Sequence, residues 1–266
     1  MTQEKTLARL QWEQAVENED FAQADKLFFK LKDDGQLDSE IAYVMGIWYR
    51  QMHQYSNSVG ALGLGLVAKP DSYELYYEAG NTLMEMGMDE AAEKQYRSCL
   101  TLKPSYVDAL YCLGKVLANQ NKMDEARVQY CKALKLIDTV EEMIVLAVEF
   151  SAIGDVDQAI HVYYQALLKE PENFYLYSNI GVELAEQGDY RDAQFCHEKA
   201  MQMAPDVADI WYNAACAYTL MNEPMRGLLA LEKAITLDPE NRNYAAQDPE
   251  LENLHKHKRF WKLVKG

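Results

Sequence analysis

A small residue returns at a fixed interval along most of this chain, at Gly46, Gly80, Gly114, Ala147, Gly181 and Ala215, in steps of 34, 34, 33, 34 and 34 residues. Two further series keep the same steps: Ser58, Ala92, Ala126, Ala159, Ala193, Gly227, and Gly65, Cys99, Ala133, Ala166, Ala200, Ala234. Prolines close the periods at Pro70, Pro104, Pro171, Pro205 and Pro239, and the member due after Pro104 is replaced by the run LKLIDTVEEM, where the single short step falls. A period of this length rules out one globular core. Each unit is too small to bury its apolar face alone and must stack on its neighbours.

Within a period the apolar residues follow the 3.6-residue spacing of helices, and no alternating strand pattern competes. Leu, Met, Ala, Glu and Gln are abundant, as helices prefer. The unit 73–104 shows the layout, with small Gly80, Ala92 and Cys99 set among large Tyr76, Leu83 and Tyr96. Gly87, Gly154 and Gly188, with Asn121 in the fourth case, mark tight turns between two helices, supplying the left-handed backbone that ends a helix. Asp71, Ser105, Asp138 and Asp206 precede the next helix, with Glu74, Asp108, Glu141 and Asp209 three residues on, a spacing that predicts capping boxes.

Aromatic, Leu-Gly, aromatic, Ala, aromatic, Ala, Pro at a period of 34 resembles the tetratricopeptide repeat. The pattern is carried by Tyr76, Gly80, Ala92, Tyr96 and Pro104, by Leu113, Gly114, Ala126, Tyr130 and Ala133, and by Tyr177, Gly181, Ala193, Ala200 and Pro205. The resemblance implies an all-α fold, a right-handed solenoid of stacked helix-turn-helix repeats. Six repeats are expected at about 39–70, 73–104, 107–138, 140–171, 174–205 and 208–239. Residues 1–38 read as a degenerate helical pair, because Trp12 stands where the small residue belongs while Ala24 and Phe28 keep the pattern. Residues 240–266 read as a capping helix with a basic tail, its apolar side supplied by Leu251, Leu254, Phe260 and Trp261.

The net charge is −16, yet Lys256, Lys258, Arg259, Lys262 and Lys265 crowd the C-terminus, so the rest is strongly acidic. Such a body repels phosphate backbones, and nucleic acid is a poor partner. Five cysteines lack paired spacing and no segment has the length of a membrane span, so a reduced, cytoplasmic protein is expected. The basic tail leaves self-association through an acidic surface of another copy as an option.

No metal or nucleophile constellation stands out. His53, His161 and His197 are isolated, and His255 and His257 lie two apart, pointing different ways on a helix. The chain therefore reads as non-enzymatic, with no cofactor.

In the family it resembles, the first helix of each repeat lines a groove, which assigns partner contact here to Tyr43, Arg50, Glu74, Tyr77, Asn81, Met84, Asp108, Tyr111, Lys115 and Tyr212. Tyr43, Tyr77 and Tyr111 lie one period apart and are expected to form a ladder that grips a peptide. The clamp by which some members hold acidic C-termini needs convergent cations, and here Arg50, Asn81 and Lys115 are scattered among acids. A basic, apolar segment of a partner protein fits better. The expected role is a scaffold or adaptor, with a chaperone that holds a client protein as the alternative.

Overall fold

The computed structural model describes residues 6–265; the first five residues of the expected N-terminal pair and Gly266 lie outside the described residues. Among the described residues all regular structure is helical. The order is α1 (Leu7–Glu17), α2 (Phe21–Asp33), α3 (Ser39–Gln51), α4 (Tyr55–Ala68), α5 (Tyr73–Glu85), α6 (Asp89–Leu102), α7 (Val107–Asn119) and α8 (Met123–Leu134). Then come α9 (Val140–Ala152), α10 (Val156–Lys169), α11 (Phe174–Gln187), α12 (Tyr190–Met203), α13 (Ala208–Leu220), α14 (Pro224–Leu237) and α15 (Asn241–Ala245). A 3₁₀ helix (Pro249–Lys256) and α16 (Lys258–Lys265) finish the chain. Two compact units divide it, Met1–Leu136 and Ile137–Gly266, and each is a solenoid of helix hairpins packed in sequence order.

The ring seats explain the small residues. A Cβ on Gly80 would lie 2.6 Å from the Tyr96 ring, and one on Gly114 would lie 2.2 Å from the Tyr130 ring. The first helix of a hairpin thus gives up a side chain so that the second can insert a ring, and both tyrosines are fully buried. In the second unit His197 occupies the seat over Gly181.

Both kinds of turn keep the period. Within hairpins positive φ occurs at Glu19, His53, Gly87, Asn121, Gly154, Gly188 and Asn222, again with one step of 33 among steps of 34, and Gly35 between α2 and α3 stands outside the series. The N-terminal pair α1–α2 therefore follows the register of the later hairpins. Between hairpins, Lys69, Lys103, Glu170, Ala204 and Asp238 each precede a proline and leave the helical region, with φ of −140°, −136°, −127°, −132° and −137°. The proline ring crowds the residue before it out of the helix. Where no proline stands, α8 ends early at Leu134, Lys135 stays helical (φ −74°, ψ −12°), and the boundary between the units comes directly after.

The helix caps sit one residue later than the sequence spacing predicts. Ser72 caps α5 and Asn173 caps α11, while Tyr106 and Val207 precede α7 and α13 without a side-chain cap bond. The complete capping box is Thr139 with Glu142 on α9, and Asp138 instead pairs with Lys169 at 2.5 Å. Two turn residues after each proline are needed before the chain can re-enter a helix, which moves the cap along by one.

Charged side chains tie successive hairpins together. In the first unit Glu93 of α6 receives Arg97 at 2.8 Å, Lys122 at 2.9 Å and Gln120 at 3.0 Å. Burial alone would raise its pKa, but these bonds outweigh burial and hold the carboxyl down at about 2. At the other end of the chain Leu251, Leu254 and Phe260 are fully buried, the 3₁₀ helix packs on α13, and Arg259 bonds Glu232 of α14 at 2.5 Å.

Candidate functional site

In the first unit, α3, α5 and α7 carry Tyr43, Tyr77 and Tyr111 in a half-buried row. The rings do not form a simple ladder. Tyr77 packs against Tyr96 (centroids 6.1 Å apart) and edge-on against Tyr106 (5.0 Å), whereas Tyr43 packs on the apolar group of Leu62, Leu75 and Ala79. Tyr111 leans on Tyr130, and Lys115 lies 5.5 Å over its ring. One period along the first helix is too wide for direct stacking here, so each tyrosine uses a ring of a second helix or of a turn, or an apolar cluster, instead.

The polar members are engaged as well. Tyr96 inserts its ring over Gly80 and donates its hydroxyl to Asn81 at 2.8 Å, with the Met84 sulfur 3.9 Å away. Arg50 reaches across from α3 to α5, bonding Glu78 at 3.1 Å and Glu85 at 2.7 Å. Its guanidinium is thus neutralised inside the chain and is no free cation for a ligand carboxylate. Burial opposes the Glu74 charge, but hydrogen bonds from its own backbone and from Ser72 prevail and its pKa is lowered. Asp108 is exposed.

Tyr212, the one site residue assigned to the second unit, donates its hydroxyl to Asp248 at 2.7 Å, the residue that caps the 3₁₀ helix. Beside it lies a cavity of about 440 Å³, lined by α11 and α13 with Tyr163 and Glu250 at its edges. Its walls include apolar Val182, Ala185, Ala217 and Leu220 and the carboxylates of Glu183, Glu186 and Glu250. Glu183 is only 7% exposed and accepts from Ser151 Oγ at 2.8 Å. Burial, followed by its neighbour Glu186, raises its pKa despite that bond. Cys216, Asp248 and Glu250 hold donor atoms within 4.8 Å of one another. Burial and then the two carboxylates push the thiol up, so Cys216 is a neutral donor that points at Asp248, 3.9 Å away.

Sequence reasoning missed this cavity because its carboxylates fall outside the groove rows. A signal was nevertheless present. Counting four residues on from the small residue of each first helix gives Arg50, Met84, Ala118, Ser151, Ala185 and Thr219, long at the start and short later. The cavity lies beside Ala185, where no long side chain reaches in from this position.

The comparisons agree with this architecture. The Tetratricopeptide repeat family model matches residues 73–106, 107–139, 174–207 and 208–241, just over half of the chain. Protein FlbA of Caulobacter vibrioides is 23% identical over 222 residues, covering 84% of this chain and 32% of its own length. The chain spans between a quarter and two fifths of the first curated relatives it matches. Among solved structures, the C-terminal part of a repeat protein from Cytophaga hutchinsonii superposes with a TM-score of 0.69 at 16% identity, covering 91% of this chain and 98% of that one. YrrB, described as having an unusual peptide-binding site, superposes with a TM-score of 0.52 at 22% identity, covering 74% of this chain and 97% of its own. With ring seats, turns and family model in agreement over the same residues, this chain belongs to the tetratricopeptide repeat family.

Proposed function

We propose that the chain is a non-catalytic scaffold that holds an extended segment of a partner protein against its first helices. The observation that carries this reading is the half-buried tyrosine row of α3, α5 and α7, in which Tyr77 and Tyr111 are already held by neighbouring rings. A side chain ordered before binding loses little entropy on contact, which is what makes tyrosine efficient at interfaces. The acidic body favours a segment that is basic as well as apolar. Five free cysteines, four of them buried, support a reducing compartment.

The test is to recover the bound segment by crosslinking to the full chain and to measure its affinity for the Tyr77→Ala, Tyr111→Ala double variant. Each truncation should cost about 1–3 kcal/mol of binding while helicity is kept. Unchanged affinity in a folded double variant would remove the tyrosine row from the site.

A further inference from the structure

We infer that the cavity between α11 and α13 is a subsite for an arginine side chain of the bound segment. The inference rests on the groove reading above and adds the chemistry of one contact.

The first unit supplies the template. Arg50, four residues on from Gly46, places its guanidinium between Glu78 and Glu85 of the next first helix. The matching residue of the second unit, four on from Gly181, is Ala185, and it lines the cavity. Where Arg50 stands its guanidinium is held by two carboxylates, and beside Ala185 a volume of about 440 Å³ stands open. The acids have also moved. Asn213 and Leu220 take the places of Glu78 and Glu85, and the carboxylates on the wall come from Glu183, Glu186 and Glu250.

These three carboxylates have no ion-pair partner among the described residues. Glu183 is the telling one, because it is more than nine-tenths buried and Ser151 supplies its hydrogen bond in place of a cation. A carboxylate kept that far from water without a countercharge has its pKa raised, and an arriving guanidinium would restore its charge and pair with it. The rest of the wall suits arginine. Val182, Ala185 and Leu220 can cover an aliphatic stem, while carboxylates from separate elements suit a planar group with five fixed donors better than a compact ammonium.

The probe is N-acetyl-arginine-methylamide, titrated into the isotope-labelled full chain and followed by methyl NMR. N-acetyl-citrulline-methylamide, its neutral counterpart of nearly the same shape, is the control. Shifts are expected at the Val182 and Leu220 methyls, with the arginine compound binding about tenfold tighter than citrulline. In Glu183→Gln, Glu186→Gln, Glu250→Gln the preference should fall to about one. Ala185→Arg should abolish binding by placing an internal guanidinium in the cavity, as Arg50 does in the first unit. Equal binding of the two compounds, no shift at these methyls by about 50 mM, or a preference that survives the glutamine variant would each overturn the assignment. Should the recovered segment still lose affinity in the tyrosine variant while its arginines are replaceable by citrulline, the subsite is wrong and the groove reading stands.

Discussion

The two units apply one repeat pattern and differ in what fills its seats. In the first, Tyr96 and Tyr130 occupy the ring seats and Arg50 and Met84 cover the groove face with long side chains. In the second, His197 sits over Gly181, and Ala185 leaves a cavity. Repetition thus fixes the backbone frame, while the residue at a given position decides whether the face there is filled and neutralised, as at Arg50, or open and acidic, as at Ala185.

Acid should separate the two most strongly. His197 is fully buried, and burial outweighs a contact with the Gly181 backbone and holds its pKa down at about 4. The unfolded chain therefore takes up a proton below about pH 6.5 that the folded unit refuses until about pH 4, so stability falls as pH drops through that window. The full loss is about 3 kcal/mol. Glu93 acts in the first unit over a lower range, its contribution being complete above about pH 4.5 and disappearing only as pH falls towards 2. Urea unfolding of the full chain, followed by hydrogen exchange, should show α11 and α12 weakening between about pH 6.5 and 4 while α6 and α7 hold. In His197→Tyr the weakening should disappear, leaving only Glu183 on α11, whose raised pKa favours the folded state as pH falls.

Crowding gives the next effect. Gly114→Ala brings a methyl to 2.2 Å from the Tyr130 ring and should cost about 2–3 kcal/mol by overpacking. Ala147, the matching residue of the next hairpin, already carries that methyl, so Ala147→Gly relieves no crowding and should cost about 1 kcal/mol from helix propensity; denaturant midpoints of both variants make the comparison. Arg50→Ala should cost about 2 kcal/mol, because it leaves Glu78, 7% exposed, without its cation. Thr219→Ala, at the equivalent position of the α13–α14 hairpin, breaks no ion pair and should cost less, measured in the same way. The smallest change is a gain: Glu19→Gly relieves a positive φ of 55° at an exposed turn and should raise stability by about 1 kcal/mol.

Much of the fold can be read from the sequence because small residues and prolines act locally. Gly80 and Gly114 announce the ring seats, and each proline marks the point where the next helix must wait. His53 and Glu19 adopt the same left-handed turn as Gly87 without any compositional hint, since the hairpin forces that backbone on whatever residue is present. The face was less legible. Helical spacing finds the stripe that carries Tyr43, Tyr77 and Tyr111, but not that Arg50 is consumed by Glu78 and Glu85 or that Tyr212 is bonded to Asp248, because those partners come from other periods. The cavity was hidden for the same reason, being the joint result of a short Ala185 and of Glu250 arriving from beyond the last hairpin.

The left-handed turns at Gly87, Asn121, Gly154 and Gly188 have a consequence for how such a chain changes length. Each is spaced from the next by one whole hairpin, so excising residues 73–106 joins Ser72 to Val107 and leaves every remaining seat opposite a ring of the right phase. Loss or gain of a complete period is then a change of reach, whereas loss of a few residues inside a helix would rotate all later seats away from their rings. Selection on such a gene can alter the extent of its partner surface in whole steps and still keep a foldable product.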